Sequence, residues 1–297
     1  MKTKKTGSKG IHKFNAIGWL FISMALITFL IFILYPVLNS FYLSFHSVKG
    51  IVQKFNGFDN YKRMLSDVLF KKSLVNTFIY LIVQVPIMLT LAMFLARLLN
   101  SKKLRFKTFF RTAIFLPCVT SLVAYSVLFK MLFAPNGIIN HSLMALKIIN
   151  VPIEWLSDPT LAKGVIIIAL LWRWTGYNMI FYLAALQNVP SETYEAAELD
   201  GANSIQQFFY VTVPQLKPII LFTTIMSTIG TLQIFDEPMN LTKGGPGNAT
   251  LSITQYIYNQ SFVYAPNFGY DATLSYVVVF IVAILAFIQI KVAGEDS

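Results

Sequence analysis

The sequence predicts an all-α protein that crosses a membrane six times. Of its 297 residues, 56% are hydrophobic and only 12% are charged, about half the charged share that the surface of a soluble domain carries. The mean hydropathy is +0.61. The apolar residues also lie in long blocks, which makes lipid the solvent for much of the chain.

A bilayer core takes roughly 20 residues of apolar helix. Six stretches qualify: 17–38, 74–98, 109–133, 162–186, 218–235 and 273–290. The first follows a lysine-rich tail (Lys2, Lys4, Lys5, Lys9, Lys13), as a secretory signal does. It is longer than the 7–15-residue apolar region of a signal, and no small-residue cleavage site precedes Tyr35-Pro36, so it reads as a retained helix. The chain thus divides into a tail, 1–16, a first transmembrane helix, 17–45, and a main membrane domain, 70–290.

The net charge is +11, from 24 basic and 13 acidic residues. The lysine tail and an acid-free cluster (Arg97, Lys102, Lys103, Arg105, Lys107, Arg111) flank apolar blocks. That placement suits cytoplasmic ends of membrane helices rather than the solvated patch of a nucleic-acid binder. With six spans both termini lie on one side, and these clusters place that side in the cytoplasm. The loop 46–73 on the other side nonetheless carries Lys49, Lys54, Lys62, Arg63, Lys71 and Lys72. Gly and Pro punctuate the outer loops 134–137 and 243–247. Pro36, Pro86 and Pro117 fall inside spans, where neighbouring groups re-satisfy the freed carbonyls. Cys118 is the only cysteine, which excludes an internal disulfide and a cysteine-based metal site. It reads as a small buried residue, and His12, His46 and His141 lack ligand spacing.

Between the fourth and fifth apolar blocks lies the loop 188–217. Its acids Glu192, Glu195, Glu198 and Asp200 precede any lysine, so anionic headgroups would repel it. Pro190 or Ser191 suits the first turn of a short helix, and the acids favour its positive end. Ala196 and Ala197 make a smooth face for close approach. Gly201 permits a sharp turn, and Asn203 can cap a second short helix. Two short helices joined to membrane spans would transmit a push.

Glu195-Ala196-Ala197, Asp200-Gly201-Ala202, Phe208, Val211, Val213-Pro214, Leu216 and Pro218 are together similar to the EAA loop of binding-protein-dependent ABC importer permeases. Valine stands at 211 and 213 where that family often has Ile or Leu. The resemblance implies a type I importer fold with a cytoplasmic coupling loop, 188–217, that docks on an ATPase subunit. The implied contacts are Glu195, Ala196, Ala197, Asp200, Gly201, Ala202 and Pro214. Three further stretches resemble the carbohydrate, maltose-type branch: Leu170-Leu171-Trp172-Arg173-Trp174-Thr175-Gly176, Leu241-Thr242-Lys243-Gly244-Gly245-Pro246 and Gly269-Tyr270-Asp271-Ala272. The resemblance implies a second homologous permease, two ABC ATPase subunits and an extracytoplasmic solute-binding protein. The chain has no G-x-x-x-x-G-K-[ST] loop, so ATP and magnesium fall to the partner ATPase and no cofactor is expected in this chain.

Trp172, Trp174, Tyr177 and Asn178, with Gln233 and Asp236, form the expected sugar pathway, because aromatic platforms beside amides suit the apolar faces and hydroxyl edges of sugars. Helix packing alone would also account for these aromatics. Arg173, a charge within a span, must be paired or face water: either it lines the pathway or it pairs with Asp236 or Glu237. The same machinery could carry another solute, such as glycerol phosphate, an amino acid or a metal complex. A secondary transporter would call for paired acids inside spans, and a membrane enzyme for a catalytic cluster; neither is present in the sequence.

Overall fold

The computed structural model describes residues 8–101 and 104–294, with side chains from Gly18 onward, up to Val292 at the other end. Lys2, Lys4, Lys5, Lys102 and Lys103 lie outside the described residues, and so do the side chains of Lys9 and Lys13. Four continuous helices are long and apolar enough to cross a membrane: Gly18–Ser44, Val68–Asn100, Pro159–Leu186 and Phe268–Val292. Two further elements are bent pairs, Lys107–Val119 with Leu122–Leu132 at 100° and Ser204–Gln215 with Lys217–Leu232 at 72°. Counting each pair as one crossing gives six spans, referred to below in chain order.

The expectation of one helix over 109–133 is corrected. Pro117 lacks the N–H that would continue the ladder and crowds the preceding turn, and the helix ends at Val119. The Thr120 hydroxyl donates back to the Pro117 carbonyl at 2.7 Å, and a new helix begins at Leu122. Both halves nevertheless lie along the fourth span. Gly176 admits the Ile114 carbonyl so closely that a Cβ there would overlap it. Farther along, Phe129 and Phe133 share a core with Val165 and Ile166. The element is therefore a broken crossing and does not double back.

The second and fourth spans form the spine. Met88, Ala92, Ala96 and Leu99 of the second pack with Met179, Tyr182, Leu183 and Leu186 of the fourth, and Leu216 joins the same core. Ala92 and Ala96 are fully buried; at a spacing of four they lie on one face and let the backbones approach. The first span sits at the periphery and is held through its last turns. Tyr276 donates to the Val37 carbonyl, the Phe41 and Tyr276 rings meet at 5.1 Å, and Thr273 donates to the Ser44 carbonyl at 3.0 Å. Trp19, Phe21 and Phe32 of this span point outward, as apolar side chains do in lipid.

At one end of the bundle the stretch 46–73 folds into a hairpin, β1 (His46–Lys49) antiparallel to β2 (Val52–Phe55), and a helix, Asp59–Ser66. The buried Asn60 amide donates to the Ser44 and His46 carbonyls at 2.9 and 2.8 Å. The glycine-rich loop after the fifth span is fastened to the second. Lys72 Nζ donates to the Gly247 carbonyl at 2.7 Å, and Asn76 Nδ2 to those of Asn248 and Leu251 at 3.1 and 3.0 Å. The loop 188–217 occupies the opposite end.

Candidate functional site

Two features stand at positions that the sequence marks. The first is an open cavity of about 520 Å³ lined by the second, fourth and fifth spans, Leu122 of the third, and the segment that follows the fifth. Trp174, Tyr177, Asn178, Gln233 and Asp236 all line it, together with Arg173 and Glu237. Trp172 does not. It turns to the broken third span and stacks on Tyr125, with ring centroids 5.8 Å apart. Residues two apart on a helix do not share a face, so Trp172 and Trp174 could not both have lined one wall.

Arg173 makes no ion pair within 4.0 Å of Asp236 or Glu237 among the described residues, which corrects the expected pairing. Its Nη1 donates at 3.2 Å to the Thr120 carbonyl, one of the groups that the break in the third span leaves without a helical donor. Its guanidinium lies 5.3 Å from the Tyr125 ring centroid and 5.4 Å from that of Trp174. A charge at membrane depth is tolerated where it meets backbone carbonyls or a polar cavity, and Arg173 meets both. Its Nε has no protein partner among the described residues.

A chain of polar contacts fixes the cavity wall across three spans. Thr231 donates to Gln84 Oε1 at 3.2 Å, and Gln84 Nε2 meets the Met88 sulfur at 3.0 Å. Asn178 Nδ2 approaches the same sulfur at 3.5 Å and donates to the Trp174 carbonyl at 3.1 Å. The sequence reading missed Gln84, Thr231, Phe181 and Phe222 as lining residues. Gln84 carried a usable signal, since an amide inside an apolar block is costly unless it serves a contact.

The second feature is the loop 188–217. Ser191–Leu199 forms a helix that buries no residue, with Glu192 in its first turn. It closes on Gly201, whose φ is +80°. The Gly201 N–H donates to the Glu198 carbonyl at 3.0 Å and the Ala202 N–H to that of Ala197 at 2.9 Å. These two bonds are the Schellman pattern, and its left-handed residue suits glycine. Asn203 caps the next short helix as expected: Oδ1 accepts from Ile205 and Gln206 at 3.0 and 2.9 Å, and Gln206 Oε1 returns a contact to the Asn203 N–H at 2.8 Å.

Glu195, Ala196 and Asp200 are exposed, Ala197 and Ala202 are half-buried, and Pro214 is exposed in the turn Val213–Gln215. Beside them Leu199 is 89% exposed and Tyr210 79%, with Ile205 and Phe209 also outward. The loop thus presents acids and large apolar side chains together.

Residues 70–291 match the family model described as the inner membrane component of binding-protein-dependent transport systems. The chain is 52% identical over 295 residues to the lactose transport system permease protein LacF of Rhizobium radiobacter, covering 99% of this chain and 98% of that one. It is 34% identical over 286 residues to the arabinooligosaccharides transport system permease protein AraP of Bacillus subtilis, covering 95% and 90%. In three dimensions it matches a chain from the crystal structure of a bacterial ABC transporter involved in the import of the acidic polysaccharide alginate. That match has a TM-score of 0.78 at 22% identity and covers 97% of this chain and 98% of that one; it establishes a shared fold. With a family model spanning most of its length and relatives matched nearly end to end, this chain belongs to the binding-protein-dependent transport system inner membrane components, and is a multi-pass permease subunit of an ABC importer rather than an enzyme.

Proposed function

We propose that the chain forms half of the translocation pathway for a sugar or oligosaccharide delivered by an extracytoplasmic solute-binding protein. The cavity carries this reading. Its volume falls in the range of small-ligand sites, and its wall sets Trp174, Tyr177 and Phe181 beside the polar groups of Gln84, Gln233 and Asn178. Aromatic faces take the C–H surfaces of a sugar, and amides and carboxylates take its hydroxyls. Arg173 on the same wall would suit an anionic solute, but Asp236 and Glu237 oppose one, so a neutral saccharide fits better. Relatives named for lactose and arabinooligosaccharides support the same class.

In this reading the exposed loop lies in the cytoplasm with both termini and docks on one of two ATPase subunits, which hold ATP and magnesium. A second, homologous permease completes the pathway. The test is uptake of lactose and of an arabinooligosaccharide into vesicles that contain the whole transporter. Uptake should require ATP and loaded binding protein, and Glu195→Ala or Gly201→Asp should depress it. Uptake that proceeds without the ATPase would overturn the reading. Orientation is tested separately, with Cys118 replaced by serine: a cysteine at Asn136 should react with impermeant reagent from outside, and one at Ser204 only from inside.

A further inference from the structure

We propose that Arg97 is the clamp through which movement of the loop is imposed on the second span. The proposal rests on the reading that the loop docks on the ATPase.

Arg97 stands in the last turn of the second span. Its Nη2 donates to the Ser204 carbonyl at 2.5 Å, across 107 residues of sequence, and its guanidinium lies 5.1 Å from the Phe208 ring centroid. One planar cation therefore grips the loop twice, once by hydrogen bond and once by a cation–π contact, a combination that lysine reproduces only in part. Nη1 of the same group is enclosed and has no hydrogen-bond partner among the described residues.

The gripped segment is connected in both directions. Toward the exposed helix Ser191–Leu199, the Tyr194 hydroxyl meets Thr212 Oγ1 at 3.2 Å, so a push on that helix reaches 204–215. Toward the membrane, this segment ends at the 72° bend, where Leu216 is fully buried among Leu99, Leu186 and Met179. The apolar anchor at Leu216 and the grip at Ser204 lie twelve residues apart, roughly 18 Å at helical rise. A rod held at one point can swivel; held at two, it carries its partner along. Removing the Arg97 grip leaves the far end of the segment to pivot about the Leu216 anchor, and displacement of the loop is then spent on swivelling about the bend.

The experiment compares wild type, Arg97→Met, Arg97→Lys, Phe208→Leu and Gly201→Asp in the complete transporter in lipid. It measures ATPase subunits retained and solute carried per ATP hydrolysed. A purely structural role would lower the yield of complex and leave the coupling ratio alone. Arg97→Met is expected to retain the ATPase while its coupling ratio falls about tenfold, within the usual range of coupling energies. Arg97→Lys and Phe208→Leu, which each keep part of the grip, should fall between Arg97→Met and wild type. If Gly201→Asp loses coupling while Arg97→Met keeps the wild-type ratio, the clamp is wrong and the docking reading survives. If neither variant changes the ratio, the docking reading fails and the clamp with it. Should Arg97→Met not assemble, a wild-type ratio in Phe208→Leu and Arg97→Lys overturns the clamp.

Discussion

Tyr270 donates its hydroxyl to Asp67 Oδ2 at 2.5 Å, joining residues 203 apart in sequence. Tyr256 donates to the same oxygen. Asp67 Oδ1 meanwhile caps the second span by accepting from the Leu69 and Phe70 N–H groups at 2.9 and 3.0 Å. One carboxylate thus ties the start of the second span to the start of the sixth and to the helix Ile253–Tyr258 before it.

Asp67 should make stability acid-sensitive. Burial alone would push its carboxyl up, but the two phenols and the two backbone N–H groups outweigh that and hold its pKa below the ordinary 3.8. A depressed folded-state pKa contributes stability that is present above the unfolded value and lost as pH falls through the folded one. The melting temperature of the purified protein should therefore show an Asp67-dependent fall only below about pH 4. Asp67→Asn should remove that component and cost on the order of 1–2 kcal/mol at neutral pH, because the charge on an acceptor shared by two hydroxyls is lost. Identical melting curves for variant and wild type across the whole range would refute the role.

Gly176 and Gly164 lie on the same span and should respond oppositely to alanine. A Cβ at Gly176 overlaps the backbone of Ile114, which has no flexible end to move, whereas a Cβ at Gly164 meets nothing within 4 Å. Gly176→Ala should separate the third and fourth spans at a cost of about 1–3 kcal/mol or more. Gly164→Ala should be neutral or stabilising by up to about 1 kcal/mol, the helix-propensity difference. The folded fraction after detergent extraction distinguishes the two, and equal behaviour would contradict the packing described.

Arg173→Met should act first on structure. It leaves the half-buried Thr120 carbonyl without its donor at the break in the third span, a loss of about 1 kcal/mol. The expected result is a lower melting temperature even when solute is absent. An unchanged melting temperature would move Arg173 wholly to the solute pathway.

Trp174→Ala and Trp172→Ala separate the cavity from its scaffold. Trp174 faces the cavity, so its loss should lower uptake about tenfold, the equivalent of roughly 1.4 kcal/mol, while the complex assembles. Trp172 packs against Tyr125 and Phe129, so its loss should lower stability and leave uptake per assembled complex unchanged. Reversed effects would mean that the two faces of the fourth span had been misassigned.

Apolar runs of membrane length and the residue types at 190–203 were enough to predict six crossings and a capped loop, because those properties are local. Backbone in lipid must satisfy itself within the helix, and Gly201 and Asn203 act on the chain within a few residues of themselves. One wall of the cavity was legible too, since Trp174, Tyr177 and Asn178 at helical spacing mark one face. The rest depended on partners distant in sequence. Pro117 marks where the third span is weakened, but the size of the bend, 100°, and the donor that meets the Thr120 carbonyl there, Arg173, are set by packing against the fourth span. Nothing near Trp172 says that Tyr125 claims it. The grips of Arg97 on Ser204 and of Asp67 on Tyr270 likewise join residues more than a hundred positions apart. Such contacts form only after the helices have packed, so the tertiary structure alone decided them.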